Sequence, residues 1–312
     1  MVAVSGEQYE FHGGGYRAVV TECGAGLRLL EHEGTPLIAG YDASSIAPAG
    51  RGQLLLPWPN RIRDGRYTFA GQEHQLALTE PARGNASHGL TRWAAWTLEE
   101  QTEHSVSLMY RLMAQKGYPW TVDLHVLYDL SAEGLTVTVT ATNLSDTDAP
   151  YAQGAHPYLS VTGGDADAGT IDNWEVTIPA DTWVEVDDRK IPVARHPVDG
   201  TDLDFRSARA LGGTSLDTPF TDLRRDGEGR AEVTVRRPDS GRGVGLWADR
   251  AHRWLQVYTG DDLPSDARGA LAVEPMTAPP DAFRSGDDLV TLAPAGQEGD
   301  EHSSSWGIRH LG

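Results

Sequence analysis

A chain of 312 residues with a formal charge of -19 at pH 7 repels phosphate backbones and anionic lipid surfaces, so neither nucleic acid nor a membrane is an expected partner. No stretch approaches the roughly 18 consecutive apolar residues of a membrane-spanning helix. Cys23 is the only cysteine, which excludes an internal disulfide and fits a reducing cytoplasm, and Lys116 and Lys190, the only lysines, leave Schiff-base chemistry few candidates.

The opening MVAVSGEQYEFHGGGYRAVV has neither a basic leader nor a continuous apolar block, which points away from secretory export. LPWPNRIRDG (Leu56 to Gly65) and NASHGLTRW (Asn85 to Trp93) read as loops, because they carry His, Arg and Trp where a hairpin needs only Gly and Asn. SVSLMYRLM, WTVDLHVLYDL and GLTVTVTATNL then alternate every two residues and are rich in Val, Thr and Tyr, the pattern of antiparallel strands. LSAEG and LSDTDAP supply the turns beside them. GAHPYL reads as a further loop, NWEVTIPA as a strand, and SLDTPFTDL (Ser215 to Leu223) again as a loop. RAEVTVRRP and HRWLQVYTG are strands, and LAVEPMTAPPDAF (Leu271 to Phe283) begins as a buried strand and ends as a loop. Long helical periodicity is missing. The 35 glycines and 18 prolines are spread rather than pooled into a linker, so residues 1–312 are expected to form one domain, a large all-β sandwich of two extended antiparallel sheets.

Several chemistries find no support. CGAGLRLL lacks the third glycine of a dinucleotide fingerprint and no βαβ unit follows it. There is no Gly-x-Ser-x-Gly elbow, and the 11 histidines show neither His-Glu-x-x-His nor Cys-His spacing, so neither a serine hydrolase nor a zinc site is expected. The sharpest residues left are His88, His156, Glu274 and Arg61. Pro157 clashes with a helical conformation at His156 and holds it extended or in a turn. Glu274 follows the apolar run GALAV, where a carboxylate is expensive unless it is paired or used. Each also has an ordinary reading: the histidines as structural hydrogen-bonding groups, Glu274 as a backbone cap, Arg61 as a surface ion-pair partner, and Trp58, Trp93 and Trp254 as core.

Taken together and in order, PNRI, SHGL, GAHPYLSV and LAVEP resemble the aldose 1-epimerase (galactose mutarotase-like) family, and the resemblance runs from about Gly13 to Ile308. It implies a β-supersandwich that interconverts the α and β anomers of a hexose such as glucose or galactose, with no cofactor. It also implies a small-molecule sugar as the partner of a monomer or homodimer. Carried over, Glu274 is the general base at the C1 hydroxyl and His156 the general acid at the ring oxygen. His88 hydrogen-bonds near that oxygen, Asn60 and Arg61 hold sugar hydroxyls, and the sugar-binding aspartate matches Asp217, with Asp222 as the neighbouring alternative. An aromatic ring such as Trp58 or Tyr158 is a further candidate, by its chemistry, to stack on the apolar face of a pyranose, with a core role as the other reading of Trp58. His88-Gly89-Leu90 departs from the His-Gly-Gly of many galactose-type members, which puts the galactose preference in question. Two other readings stand beside this one: a carbohydrate-binding or sensor protein without catalysis, and an epimerase of a phosphorylated or sulfonated hexose using Arg61, Arg63, Arg83 or Arg92.

Overall fold

The computed structural model describes residues 2–163 and 170–312. A nine-stranded antiparallel sheet runs Thr97–Gln101, Ser105–Leu112, Val122–Ser131, Gly134–Asn143, Glu301–Leu311, Arg242–Ala248, Ala231–Arg237, Glu175–Thr177 and Arg209–Ala210 in spatial order. Its strands form because alternate residues are apolar. Val122, Leu124, Val126, Tyr128 and Leu130 point inward, as do Leu135, Val137, Val139 and Ala141 on the next strand. The outer face is polar, with hydroxyl pairs Thr138–Ser305 and Thr140–Ser303 bridging neighbouring strands.

An eight-stranded sheet faces it, in the order Pro192–Pro197, Ala180–Val186, Asp217–Leu223, Trp254–Tyr258, Leu271–Met276, Gly154–Ala155 and Leu54–Leu55, with Tyr158–Leu159 also paired to Leu271–Met276. Phe220, Leu255, Val257, Leu271 and Val273 of this sheet belong to the same buried cluster as the inner face of the nine-stranded one. Each such side chain contributes about 1.5–3 kcal/mol by leaving water, so this shared layer is what holds the two sheets together. An N-terminal sheet, Gln8–Gly13, Tyr16–Thr21, Leu27–His32 and Thr35–Pro36, adds Phe11, Tyr16, Leu27 and Leu30 to that layer.

The expected all-β class is what forms, and the only α-helix among the described residues is the four-residue Ala282–Ser285. No helix among them is long and apolar enough to cross a membrane. Several local expectations change, since the stretches read as loops also hold the short strands Arg61–Arg63, Asn85–Ser87, Gly154–Ala155 and Tyr158–Leu159. SLDTPFTDL is mostly a strand, Asp217–Leu223, and the strand carrying Glu274 continues through Pro275 to Met276. Trp58 and Trp254 are core, whereas Trp93 is 54% exposed with Arg92 over its ring.

Candidate active site

Strand alternation sets the floor of the site. Because Leu271, Val273, Leu255 and Val257 fill the core between the sheets, Glu274 and Gln256, paired in register, emerge on the opposite face. Tyr258 lies two residues beyond Gln256, and Asp217 pairs with it from the next strand. Four polar side chains from three adjacent strands, Glu274, Gln256, Tyr258 and Asp217, therefore share one face.

On the other side of the Glu274 strand the ladder is interrupted. Val273 N–H donates to Pro157 O (3.1 Å) and Thr277 N–H to Gln153 O (2.9 Å), so the amide between them, that of Pro275, would point the same way and has no hydrogen to give. His156 directs its own backbone groups to the neighbour on its far side: His156 N–H donates to Gln53 O (3.0 Å), and Gly52 N–H donates to His156 O (2.9 Å). The flanking pairs Gly154 with Met276 and Tyr158 with Ala272 put His156 level with Glu274. Across this gap His156 Nε2 lies 3.3 Å from Glu274 Oε1. The His156 ring stacks on Tyr158, with centroids 5.0 Å apart and planes 7° from parallel.

A second wall comes from the paired strands Arg61–Arg63 and Asn85–Ser87. Beyond their ends, His88 N–H donates to Asn60 O (2.8 Å) and Asn60 N–H donates to His88 Nδ1 (3.2 Å). Because Nδ1 accepts, the ring proton of neutral His88 resides on Nε2, which makes that nitrogen a donor. Asn60 and His88 both have positive φ, +53° and +58°, and Gly89 follows at +74°. A Cβ on Gly89 would stand 2.0 Å from Leu56 O. Gly89→Ala is therefore expected to cost at least about 2 kcal/mol and to displace His88. Urea denaturation checks this, and an unchanged midpoint would refute it.

Arg61 binds Glu80 through two hydrogen bonds, Nε to Oε2 at 2.8 Å and Nη2 to Oε1 at 3.1 Å, and Arg83 Nη1 reaches Glu80 Oε1 at 2.7 Å. Asp217 is held at both oxygens, by Gln256 Nε2 on Oδ1 (2.6 Å) and Lys190 Nζ on Oδ2 (2.9 Å).

These groups enclose a cavity of about 310 Å³, within the range of small-molecule sites. All six sequence-derived candidates, Asn60, Arg61, His88, His156, Asp217 and Glu274, line it. A cavity of about 370 Å³ beside Trp254 and Pro280 is lined by Arg195 and Asp287, already an ion pair, and has no such convergence. Three buried atoms of the site have no hydrogen-bond partner among the described residues: His156 Nδ1, Glu274 Oε2 and Gln256 Oε1. Burial drives the ionisable pair toward its uncharged forms. Desolvation, reinforced by the charge of Asp217, holds the Glu274 carboxyl well above the usual range, and desolvation, reinforced by Arg92, lowers His156 to about 3. His88 is likewise lowered by burial and then by Arg92, consistent with its neutral tautomer.

Some expectations fail at this level. Asp222 accepts from Thr182 Oγ1 and lies outside the cavity, which leaves Asp217 as the aspartate of the pair that lines it. Trp58 is 2% exposed and packs on Phe283 rather than on the cavity, so Tyr158 alone of the two rings lines it. Arg63 is paired with Asp187 and Arg92 lies over Trp93, both outside the cavity lining. The residues missed were Gln256, Glu80 and Tyr258. Gln256 had a readable signal, a polar residue in the otherwise apolar WLQV, whereas Glu80 in LTEPAR had none.

A family model described as aldose 1-epimerase matches residues 7–304. The uncharacterized protein YihR of Escherichia coli K12 is 36% identical over 289 residues, 92% of this chain and 89% of its own length. The galactose mutarotase of Sus scrofa is 29% identical over 224 residues, 67% of this chain but 62% of its own length. Among crystal structures, the GalM/aldose epimerase homologue from C. elegans superposes with a TM-score of 0.83 at 22% identity, covering 98% of this chain and 99% of the other. A galactose mutarotase-like protein from Clostridium acetobutylicum gives 0.82 at 18% identity, with 97% and 94% covered. At those identities the two structures show the β-supersandwich fold.

Proposed function

Because the chain belongs to the aldose 1-epimerase family, we propose that it interconverts the α and β anomers of a neutral, free hexose such as glucose or galactose by acid–base ring opening and closure. The observation that carries this reading is the buried His156–Glu274 pair, 3.3 Å apart and lining the cavity. In the reacting form Glu274 is a carboxylate and His156 an imidazolium. Glu274 takes the proton from the C1 hydroxyl, His156 delivers one to the ring oxygen, and the bond from C1 to that oxygen breaks to give an aldehyde. Rotation about C1–C2 presents the other face of the carbonyl. His156 then recovers its proton as the ring oxygen attacks, and Glu274 returns its own to O1.

The pair holds one proton and no net charge at every stage. The open-chain stage leaves Glu274 protonated and His156 neutral, the state that burial favours, so the environment assists the difficult opening step. In the empty site burial favours the same neutral forms, and proton transfer from Glu274 to His156 across their 3.3 Å contact supplies the charged form that the next cyclic sugar meets. His88, protonated on Nε2, supplies a hydrogen bond to the ring oxygen, and Asn60, Arg61 and Asp217 hold the other hydroxyls.

Charge pairing supports a neutral substrate over a phosphorylated or sulfonated one. Arg61 and Arg83 both bind Glu80, and Asp262 adds a further anion to the lining, so no lining cation is left unmatched. A purely binding or sensing role is disfavoured by the same pair. Burying an acid against a base costs desolvation, and recognition of a neutral sugar does not require it.

Saturation-transfer NMR against free aldoses and their 6-phosphates tests the reading. Faster anomer exchange is expected for at least one free hexose and not for its 6-phosphate. Binding without exchange would establish the non-catalytic alternative, and preference for the phosphate would establish the anionic one.

A further inference from the structure

Lys190 stands on the loop 187–191, between strands Ala180–Val186 and Pro192–Pro197. Asp187 folds this loop, its Oδ1 accepting from the backbone of Arg189 (2.9 Å) and Ile191 (3.0 Å). The loop is then fastened to the opposite wall of the cavity. Arg189 donates to Arg83 O, Gly84 O and Asp64 Oδ1, each at 2.8 Å, and Arg63 reaches Asp187 Oδ2 at 2.6 Å. These are the segments that carry Arg61, Glu80 and Arg83. Thus the loop bridges the two walls and brings the Lys190 ammonium to Asp217 Oδ2 at 2.9 Å.

Two features mark that contact as selected for its side chain. Lys190 has φ +64°, a left-handed conformation in which glycine is less strained, so the backbone alone gives no reason for a lysine. It is also a point charge, which engages one carboxylate oxygen and leaves the other to Gln256, where an arginine fork would take both.

We propose that Lys190 is a positioning residue, fixing Asp217 in the orientation that presents its carboxylate to a sugar hydroxyl and balancing its charge beside Glu274. The proposal rests on the aldose reading above. Lys190 does not itself line the cavity, so it acts through Asp217.

The test uses the full chain and four variants: Lys190→Gly, Lys190→Met, Asp217→Asn and Asp217→Asn with Lys190→Met, each assayed for anomer exchange. Both single Lys190 variants are expected to raise KM about tenfold, the effect of losing the close ion pair that holds Asp217, with kcat within about twofold. Lys190→Gly should melt no lower than wild type, because it relieves the left-handed backbone; a merely structural lysine would not separate stability from KM in this way. In the Asp217→Asn background, Lys190→Met should leave KM unchanged. Wild-type KM in both Lys190 variants, or an equal rise with and without Asp217, would overturn the proposal while leaving the epimerase reading intact. A wild-type protein that exchanges no aldose would overturn both.

Discussion

Glu274→Gln should lower kcat for anomer exchange by at least about a thousandfold while the fold survives. The loss follows from chemistry: an amide of the same shape cannot take the O1 proton, and no other carboxylate among the described residues contacts His156. Survival follows from burial. Because desolvation, then Asp217, holds the Glu274 carboxyl well above its usual range, the native chain keeps this group uncharged where the unfolded chain has ionised it. A pKa raised on folding stabilises fully below the unfolded value and is lost as pH rises through the folded one. On the alkaline side of that folded value the wild type must bury a charge that the glutamine variant does not. The variant's melting temperature should therefore equal that of wild type in acid and exceed it in alkali. Polarimetry of freshly dissolved α-glucose and α-galactose, with melting curves across pH, reads both effects. Relaxation as fast as with wild type would remove Glu274 from the role of base.

The second large effect concerns His156. An ordinary imidazole acid loses its proton as pH rises through about 6.5, and activity would fall with it. His156 is lowered to about 3, first by burial and then by Arg92, while its partner Glu274 is raised. The pair accordingly keeps one proton throughout neutral pH, and kcat/KM should show no inflection near 6.5. His156→Asn should reduce kcat by at least about a hundredfold with KM within about threefold, since the group is used at the transition state more than in binding. Stability gives an independent reading. A histidine kept neutral on folding contributes stability present above its unfolded pKa and lost as pH falls toward about 3, so the variant should lose less stability in acid than wild type does. A one-proton inflection at 6.5 in wild-type kcat/KM, or unchanged turnover in the variant, would return His156 to a structural role.

Much of the architecture was legible because inward and outward residues alternate so regularly. WTVDLHVLYDL and GLTVTVTATNL specify strands on their own, and Val122–Ser131 and Gly134–Asn143 are where that pattern puts them. The prolines were the obstacle. Pro219 and Pro275 look like loop punctuation, yet both stand within strands, and at Pro275 the sheet gives up one amide hydrogen bond while Val273 and Thr277 keep theirs on either side. His88, His156, Glu274 and Arg61 stood out from the residues themselves, Asn60 and Asp217 came with the family order, and it was that order that chose between the ordinary and the chemical readings of His88 and Glu274. What no local pattern revealed was contact between remote segments. Glu80 becomes visible only when Arg61 folds onto it, and Lys190 only when its loop crosses to Asp217.

The gap in the ladder beside Glu274 also bears on how such a protein can change over time. Glu274 and Gln256 sit on paired strands of a packed sheet, where a one-residue slip would send Val273 and Leu255 into the cavity and both polar groups into the core. Asn60, Glu80, Arg83 and Lys190 come from segments outside that ladder. Substitutions there can reshape what the cavity grips without disturbing the register that sets Glu274 against His156. On the proposed reading, reactivity is thereby inherited with the sheet, and sugar preference is left open to drift.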